Sequence, residues 1–233
     1  MSLSDRRTLL KSLAGLALAS SLTQFAYAAA LGREERDRMT PDEALAMLQA
    51  GNERFRSGKM KAHDYLAQKR ATTAGQYPAA AILSCIDSRA PAEIILDTGI
   101  GDTFNARVAG NIANDDMLGS LEFACAAAGA KLILVMGHTS CGAIKGAIDG
   151  TQLGHLTGLL DQIKPAVAAT SYSGERTSKN AAFVDEVASS NVRLTVQAIR
   201  QHSSVLAALE KDGKIKIVGS MYHLKGGRVE LLS

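Results

Sequence analysis

Cysteine is scarce in this chain of 233 residues, which has only Cys85, Cys125 and Cys141. A small, odd number excludes a disulfide framework of the kind that staples small secreted domains. Proline is nearly as scarce, with 4 residues, and no stretch is low in complexity. Repeats at solenoid or propeller spacing are absent, which excludes those architectures. Charge of one sign is also in short supply. The formal net charge is +3, and residues 1–28 carry three basic side chains against one acidic, so the remainder stands at +1. A near-neutral chain offers no electrostatic footprint for nucleic acid or for an anionic membrane. What is present is a 46% hydrophobic, 21% charged sequence, the profile of one globular domain large enough to bury a full core.

Residues 1–28 read as an export signal. Arg6-Arg7 precedes an uncharged, apolar-rich run over 12–22, and Ala26-Tyr27-Ala28 supplies the small-x-small pattern that signal peptidase accepts. The arginine pair resembles a twin-arginine signal, the bacterial route for folded proteins, with Asp5 where that motif usually has Ser or Thr. A general secretion signal or an uncleaved anchor is the alternative: 12–32 is uncharged and long enough to span, yet Ser, Thr, Gln and Gly interrupt it. The expectation is a cleaved signal, a periplasmic protein with no stable membrane association afterwards, a charged linker over 29–39, and a single domain over 40–233. Thiols exported to an oxidising compartment need protection, which metal binding before export would supply.

Thr40-Pro41-Asp42-Glu43 predicts a helix start with a capping box. Its stripe carries Leu45, Met47 and Leu48, and it should end near Gly51 or Gly58. Strands are predicted over 79–83, 103–108, 131–136 and 215–218, with an edge strand over 228–232. The run over 131–136 is continuously apolar, as a parallel strand buried on both faces requires. Helices are predicted over 117–128, 143–148, 156–169 and 181–209, the last with a break. The alternation argues an α/β fold, a central mainly parallel sheet flanked by helices. Sites in such sheets gather beyond the carboxyl ends of the strands. Cys85 directly follows one predicted strand and His138 another, so both fall at the same sheet edge.

His138-Thr139-Ser140-Cys141 places an imidazole and a thiol three apart, close enough for one turn to present both to one ion. With Cys85 they make a set suited to tetrahedral zinc with one position free. On spacing alone a second reading stands, in which both cysteines are small buried hydrophobes and His138 a turn residue.

The flanking residues decide between them. Cys85-Ile86-Asp87-Ser88-Arg89 matches the C-x-D-S-R motif of the β-class carbonic anhydrases, and His138-Thr139-Ser140-Cys141-Gly142 their H-x-x-C-G. The run Leu48-Gln49-Ala50-Gly51-Asn52-Glu53-Arg54-Phe55 resembles their early helix. Gly101-Asp102-Thr103-Phe104, Arg107, Ala109-Gly110-Asn111 and Ser120-Leu121-Glu122-Phe123-Ala124 resemble the segments that follow. The likeness runs in order over about residues 40–220, and several motifs in register are far more specific than one.

The resemblance implies one zinc per chain on Cys85, His138 and Cys141, with water or hydroxide as fourth ligand. Zinc-bound hydroxide would then convert carbon dioxide to bicarbonate and a proton. It implies Asp87 as the group that orients the hydroxide, Arg89 as its bidentate partner, and Asp87 as a fourth metal ligand in a closed state known in part of the family. It also implies a homodimer or higher homo-oligomer. Relatives that hydrolyse carbonyl sulfide or carbon disulfide share the ligand set, and a non-catalytic zinc- or bicarbonate-binding protein is the rival from another class. Asp102 and Arg107 are expected to make buried or turn-supporting hydrogen bonds and Cys125 to lie in the core. His63, His155, His202 and His223 receive no role.

Overall fold

The computed structural model describes residues 29–232, so the predicted export signal lies outside the described residues. Five strands form one sheet: β1 (Ala80–Ser84), β2 (Thr103–Arg107), β3 (Leu132–His138), β4 (Lys216–Tyr222) and β5 (Val229–Leu232). Their spatial order is β2-β1-β3-β4-β5. The first four run parallel, and β5 pairs antiparallel to β4 as an edge. The predicted α/β architecture and all five strands are present. Two strands run further than composition indicated: β3 continues through Gly137 into His138, and β4 reaches Tyr222.

The continuous apolar runs are explained by burial on both faces. Ala81, Leu83, Ile133 and Val135 point to one side, where they pack with Phe183, Val184, Val187, Val192 and Ile199. Their neighbours Ala80, Ile82, Leu132, Leu134 and Met136 point to the other, against Ala44, Leu48, Ile95 and Leu96. This is the period of 2 of a pleated strand with no polar face to show.

Ten α-helices flank the sheet among the described residues: α1 (Arg33–Arg38), α2 (Pro41–Arg56), α3 (Tyr65–Ala71), α4 (Ala92–Ile95), α5 (Asp115–Glu122), α6 (Gly142–Ile148), α7 (Gly154–Asp161), α8 (Lys164–Ala169), α9 (Ala181–His202) and α10 (Ser204–Lys211). The predicted capping box opens α2: Thr40 Oγ1 accepts from Glu43 N at 3.2 Å, and Glu43 Oε2 accepts from Thr40 N at 2.7 Å. The expected break in 181–209 falls at Ser203, whose hydroxyl accepts from Leu206 N and donates to Glu122 Oε1. The helix predicted over 156–169 is instead two, α7 and α8, with Pro165 in the first turn of the second. Helices α3 and α4 have no counterpart in the predicted elements.

The segment 29–39, expected as a linker, carries α1 and is tied to the domain. Leu31 N donates to Asp102 Oδ1 at 3.3 Å, the Arg33 guanidinium lies 4.8 Å from the Tyr77 ring centre, and buried Arg36 donates to the Ala128 carbonyl. Its partners lie 44 to 92 residues away, so its own composition could not announce them. Asp102 also accepts from Gly99 N at 2.8 Å, the turn support predicted for it.

A buried carboxylate joins α2 to the loops before the sheet. The Asp97 side chain is fully buried and accepts from the Arg54 guanidinium, from Lys61 N at 3.1 Å and from His63 Nε2 at 3.2 Å. Burial pushes its carboxyl up, but Arg54, Lys61 N and His63 together outweigh that and hold it below the usual carboxylate range. A depressed folded-state pKa contributes stability above the unfolded value and loses it as pH falls through the folded value. Asp97→Asn, which tolerates the left-handed backbone at this position (φ 47°), is therefore expected to cost about 1.5–3 kcal/mol at neutral pH. Chemical denaturation should show that difference shrinking in acid, and an unchanged midpoint at neutral pH would refute the role.

Candidate metal centre

Two adjacent parallel strands deliver the first two ligands. Ser84 at the end of β1 is in register with Met136 of β3, so Cys85 follows one strand end while His138 completes the next. Cys141 comes from the turn after β3, at the position that caps α6. The three residues are 4%, 1% and 2% exposed, and their ligand atoms all lie within 4.8 Å of one another. The Cys85 and Cys141 sulfurs are 3.9 Å apart and unbridged. Two sulfurs on one tetrahedral zinc, each about 2.3 Å from it, stand about 3.8 Å apart.

The polar bookkeeping points the same way. His138 Nδ1 is 3.0 Å from the Thr139 carbonyl. A carbonyl only accepts, so Nδ1 carries the hydrogen and Nε2 presents a lone pair to the two sulfurs. That Nε2 is buried with no hydrogen-bond partner. A buried orphan of this kind costs about 1–3 kcal/mol unless something fills its valence. The two sulfurs are in hydrogen-bond contact, and either could donate. A hydrogen bond from Cys141 pulls the Cys85 thiol down to about 4, helped by His138 and the Gly110 and Asp87 N–H groups. The same contact pushes Cys141 up. Burial pushes His138 down, but the neighbouring Cys85 and Asp87 charges and the Thr139 carbonyl together outweigh it and raise its pKa. A divalent cation displaces such a proton and takes both sulfurs as thiolates. The donor set therefore fits zinc.

Asp87 and Arg89 sit at the rim. Arg89 Nε and Nη2 donate to Asp87 Oδ1 and Oδ2 at 2.9 and 2.8 Å, and Arg89 N donates to Oδ1 at 2.9 Å. The aspartate side chain is 15% exposed and the guanidinium 55%. Arg89 holds the Asp87 carboxyl well below the usual carboxylate range. Asp87 Oδ2 lies 3.8 Å from His138 Nε2, so the carboxylate borders the ligand cluster with both oxygens engaged by Arg89.

Arg107 makes hydrogen bonds of the kind expected of it, and they reach the site. Its Nε donates to the Cys85 carbonyl at 3.0 Å and Nη2 to the Asp87 carbonyl at 2.7 Å, fixing the loop that carries both residues. Gly110, part of a recognised motif but given no role from sequence, donates its N–H to Cys85 Sγ at 3.4 Å. Asp185, 45 residues beyond Ser140, accepts from Ser140 N at 2.8 Å, and no local pattern marks it. The unassigned histidines stay outside the centre: His63 bonds Asp97 and His223 bonds Glu230. Cys125 is buried in the core, where burial pushes its thiol up to about 12.

Known proteins bear on this arrangement. The sequence model of a family described as carbonic anhydrase matches residues 80–229. Carbonic anhydrase 2 of Mycobacterium tuberculosis is 38% identical over 197 residues, covering 82% of this chain and 92% of its own. Among solved structures, a β-carbonic anhydrase of Aspergillus fumigatus superposes with a TM-score of 0.62 at 27% identity, over 70% of this chain and 79% of that one. Tetrameric β-carbonic anhydrases of Sordaria macrospora give a TM-score of 0.62 at 24% identity, over 70% of this chain and 85% of theirs.

Elemental analysis of the purified protein is expected to find about one zinc per chain. Cys85→Ser and His138→Ala should each lower that to below about a tenth, while Cys125→Ala leaves it unchanged. Full zinc content in the first two variants would place the metal elsewhere.

Proposed function

The chain belongs to the carbonic anhydrase family, in its β class, and from that membership we propose how its residues carry out the reaction it catalyses, the reversible hydration of carbon dioxide. One water adds to the carbon, giving bicarbonate and releasing one proton. Cys85, His138 and Cys141 hold the zinc, and the single observation that carries this reading is the unpartnered Nε2 of His138 facing two unbridged buried sulfurs. When bound, zinc supplies acidity, lowering the pKa of its water from about 15.7 towards 7.

The remaining work falls to this chain's own side chains. The Asp87 carboxylate, at the edge of the cluster, accepts a hydrogen bond from the attacking water and so aims its lone pair at the substrate carbon. Arg89 keeps that carboxylate ionised and fixes its plane through two parallel bonds. Arg107 holds the Cys85 and Asp87 carbonyls together, so the ligand and the orienting carboxylate share one rigid loop. The intact pair of Asp87 and Arg89 and the carbonic anhydrase relatives favour this reading over a sulfur-substrate hydrolase or a binding protein. The closed state, with Asp87 on the metal, requires that Asp87 leave Arg89.

The assembly and location belong to the same proposal. A cleft of about 710 Å³ along the free edge of β2 is lined by Phe104, Met117 and Phe123, and Phe123 is 56% exposed. A homo-oligomer would cover such a surface, and the Sordaria relatives are described as tetrameric. Arg6-Arg7 and Ala26-Tyr27-Ala28 support export to the periplasm by the twin-arginine route, with cleavage after residue 28. No helix among the described residues is long and apolar enough to cross a membrane.

Stopped-flow carbon dioxide hydration by zinc-loaded protein tests the catalytic roles. Arg89→Ala is expected to lower kcat/KM on the order of 100-fold at neutral pH. Because Arg89 depresses the Asp87 pKa, its loss should also move the acid limb of the profile to higher pH. An Arg89→Ala enzyme with wild-type rate and profile would sink the pairing. Light scattering of protein lacking residues 1–28 should give a mass of at least two chains, and Phe123→Lys should lower it; a monomeric wild type would rule out the oligomer.

A further inference from the structure

We propose that helix α9 is the outer support of the metal centre, with Asp185 positioning the turn between His138 and Cys141 and Asn191 positioning the amide that faces Cys85. The inference rests on the zinc reading above and extends it to two residues that touch neither metal nor substrate.

The turn has a demanding task. His138 ends a strand and Cys141 opens a helix, and only Thr139 and Ser140 separate them. For both side chains to reach one point the chain must reverse within those two residues, and Ser140 does so with φ at 56°. The left-handed region costs a residue with a β-carbon about 1–2 kcal/mol, so the conformation persists only where neighbours hold it. Thr139 is held from the sheet side: its N–H donates to the Tyr222 carbonyl and its Oγ1 accepts from Leu224 N, both at 3.0 Å. Ser140 is held from the helix side, where its N–H meets the Asp185 carboxylate at 2.8 Å. A charged acceptor makes this about twice as strong as a neutral pair. If that bond is lost, the turn relaxes and the imidazole and the thiolate part company.

Asn191 acts on the other cysteine. Gly110 donates to Cys85 Sγ from a left-handed conformation (φ 70°), and its carbonyl accepts from Asn191 Nδ2 at 2.7 Å. Asn191 is 3% exposed, so this bond is shielded from water. A β-carbon at Gly110 would lie 2.5 Å from Ile163 Cδ1, which leaves the glycine little room on that side. The residue is thus fixed between packing and the Asn191 amide, and its N–H stays on the sulfur. An N–H on a thiolate withdraws negative charge from it, so the ligand neutralises its cation less and leaves it more acidic.

The helix carrying these side chains is itself keyed to the sheet. A β-carbon at Gly137 would meet Val192 Cγ2 at 2.6 Å, and one at Gly219 would meet Val192 Cγ1 at 2.8 Å. Val192 therefore sits directly on β3 one residue before His138 and on β4 beside it. This contact sets the height of α9 and with it the reach of Asp185 and Asn191.

The test compares Asp185→Ala, Asp185→Asn and Asn191→Ala in zinc affinity, by competition with a chromogenic chelator, and in the thiolate-to-metal absorption of the cobalt(II)-substituted protein. Asp185→Ala should bind zinc about 10–100-fold more weakly and shift the cobalt spectrum. Asp185→Asn retains an oxygen acceptor and should recover most of the affinity. Asn191→Ala should shift the thiolate band with a smaller loss of affinity. Ser140→Gly in the Asp185→Ala background removes the cost of the left-handed turn, should bind zinc within about threefold of wild type, and serves where the alanine variant does not fold. An Asp185→Ala protein with lowered Tm but wild-type affinity and spectrum would overturn the inference, as would an asparagine variant as weak as alanine. A wild-type chain that takes up no zinc would overturn the reading beneath it.

Discussion

Two buried sulfurs 3.9 Å apart and an imidazole nitrogen with no hydrogen-bond partner can share a protein interior only if one electrophile satisfies all three. A single proton between the two sulfurs leaves His138 Nε2 with no hydrogen-bond partner. A cation would satisfy all three, and the rest of the molecule is arranged around these donors. The strand ends bring the donors to one place, the loops around them are pinned by buried hydrogen bonds, and the core beneath is apolar on both sheet faces.

In the proposed mechanism the division of labour follows from charge. Two thiolates would cancel the formal charge of a divalent ion, so the centre would activate water less strongly than a set of neutral imidazoles, and the burden of orienting the attacking group would fall on Asp87. That carboxylate is useful only while ionised and correctly aimed. Arg89 meets both needs through a planar, bidentate contact that leaves the guanidinium half in water and the aspartate mostly out of it. An exposed ion pair of this spacing on an ordinary loop would contribute little. Here its value lies in geometry at a reacting centre, and Arg107 turns that geometry into a property of the loop backbone by gripping the Cys85 and Asp87 carbonyls.

Support from outside the motifs comes from elements that close over the sheet. Helix α9 crosses β3 and β4 close enough that glycine is required beneath it, and from there it reaches both the turn after β3 and the segment after β2. The turn between His138 and Cys141 is thereby referenced to this helix directly, and Cys85 through the Gly110 N–H. The N-terminal segment does similar service at a distance from the centre, where Leu31 and Arg36 tie it to Asp102 and Ala128.

The sequence by itself determined the strands, because a strand buried on both faces leaves an unmistakable apolar run, and it marked the proposed ligand set that the fold brings together, because Cys85-x-Asp87-x-Arg89 and His138-x-x-Cys141 are short patterns whose chemistry is local. It also marked the capping box at Thr40 and the break before Ser204, where the signal again lies within a few residues. Only the tertiary structure decided that 29–39 folds onto the domain, that Arg107 grips the loop of Cys85 and Asp87, and that Gly110, Asp185 and Asn191 surround the cysteines. Each of these depends on partners 20 to 92 residues away. Hydrogen bonds of that reach carry no periodicity and no spacing rule, since they are set by where the sheet register and the packing of α9 place two distant backbones.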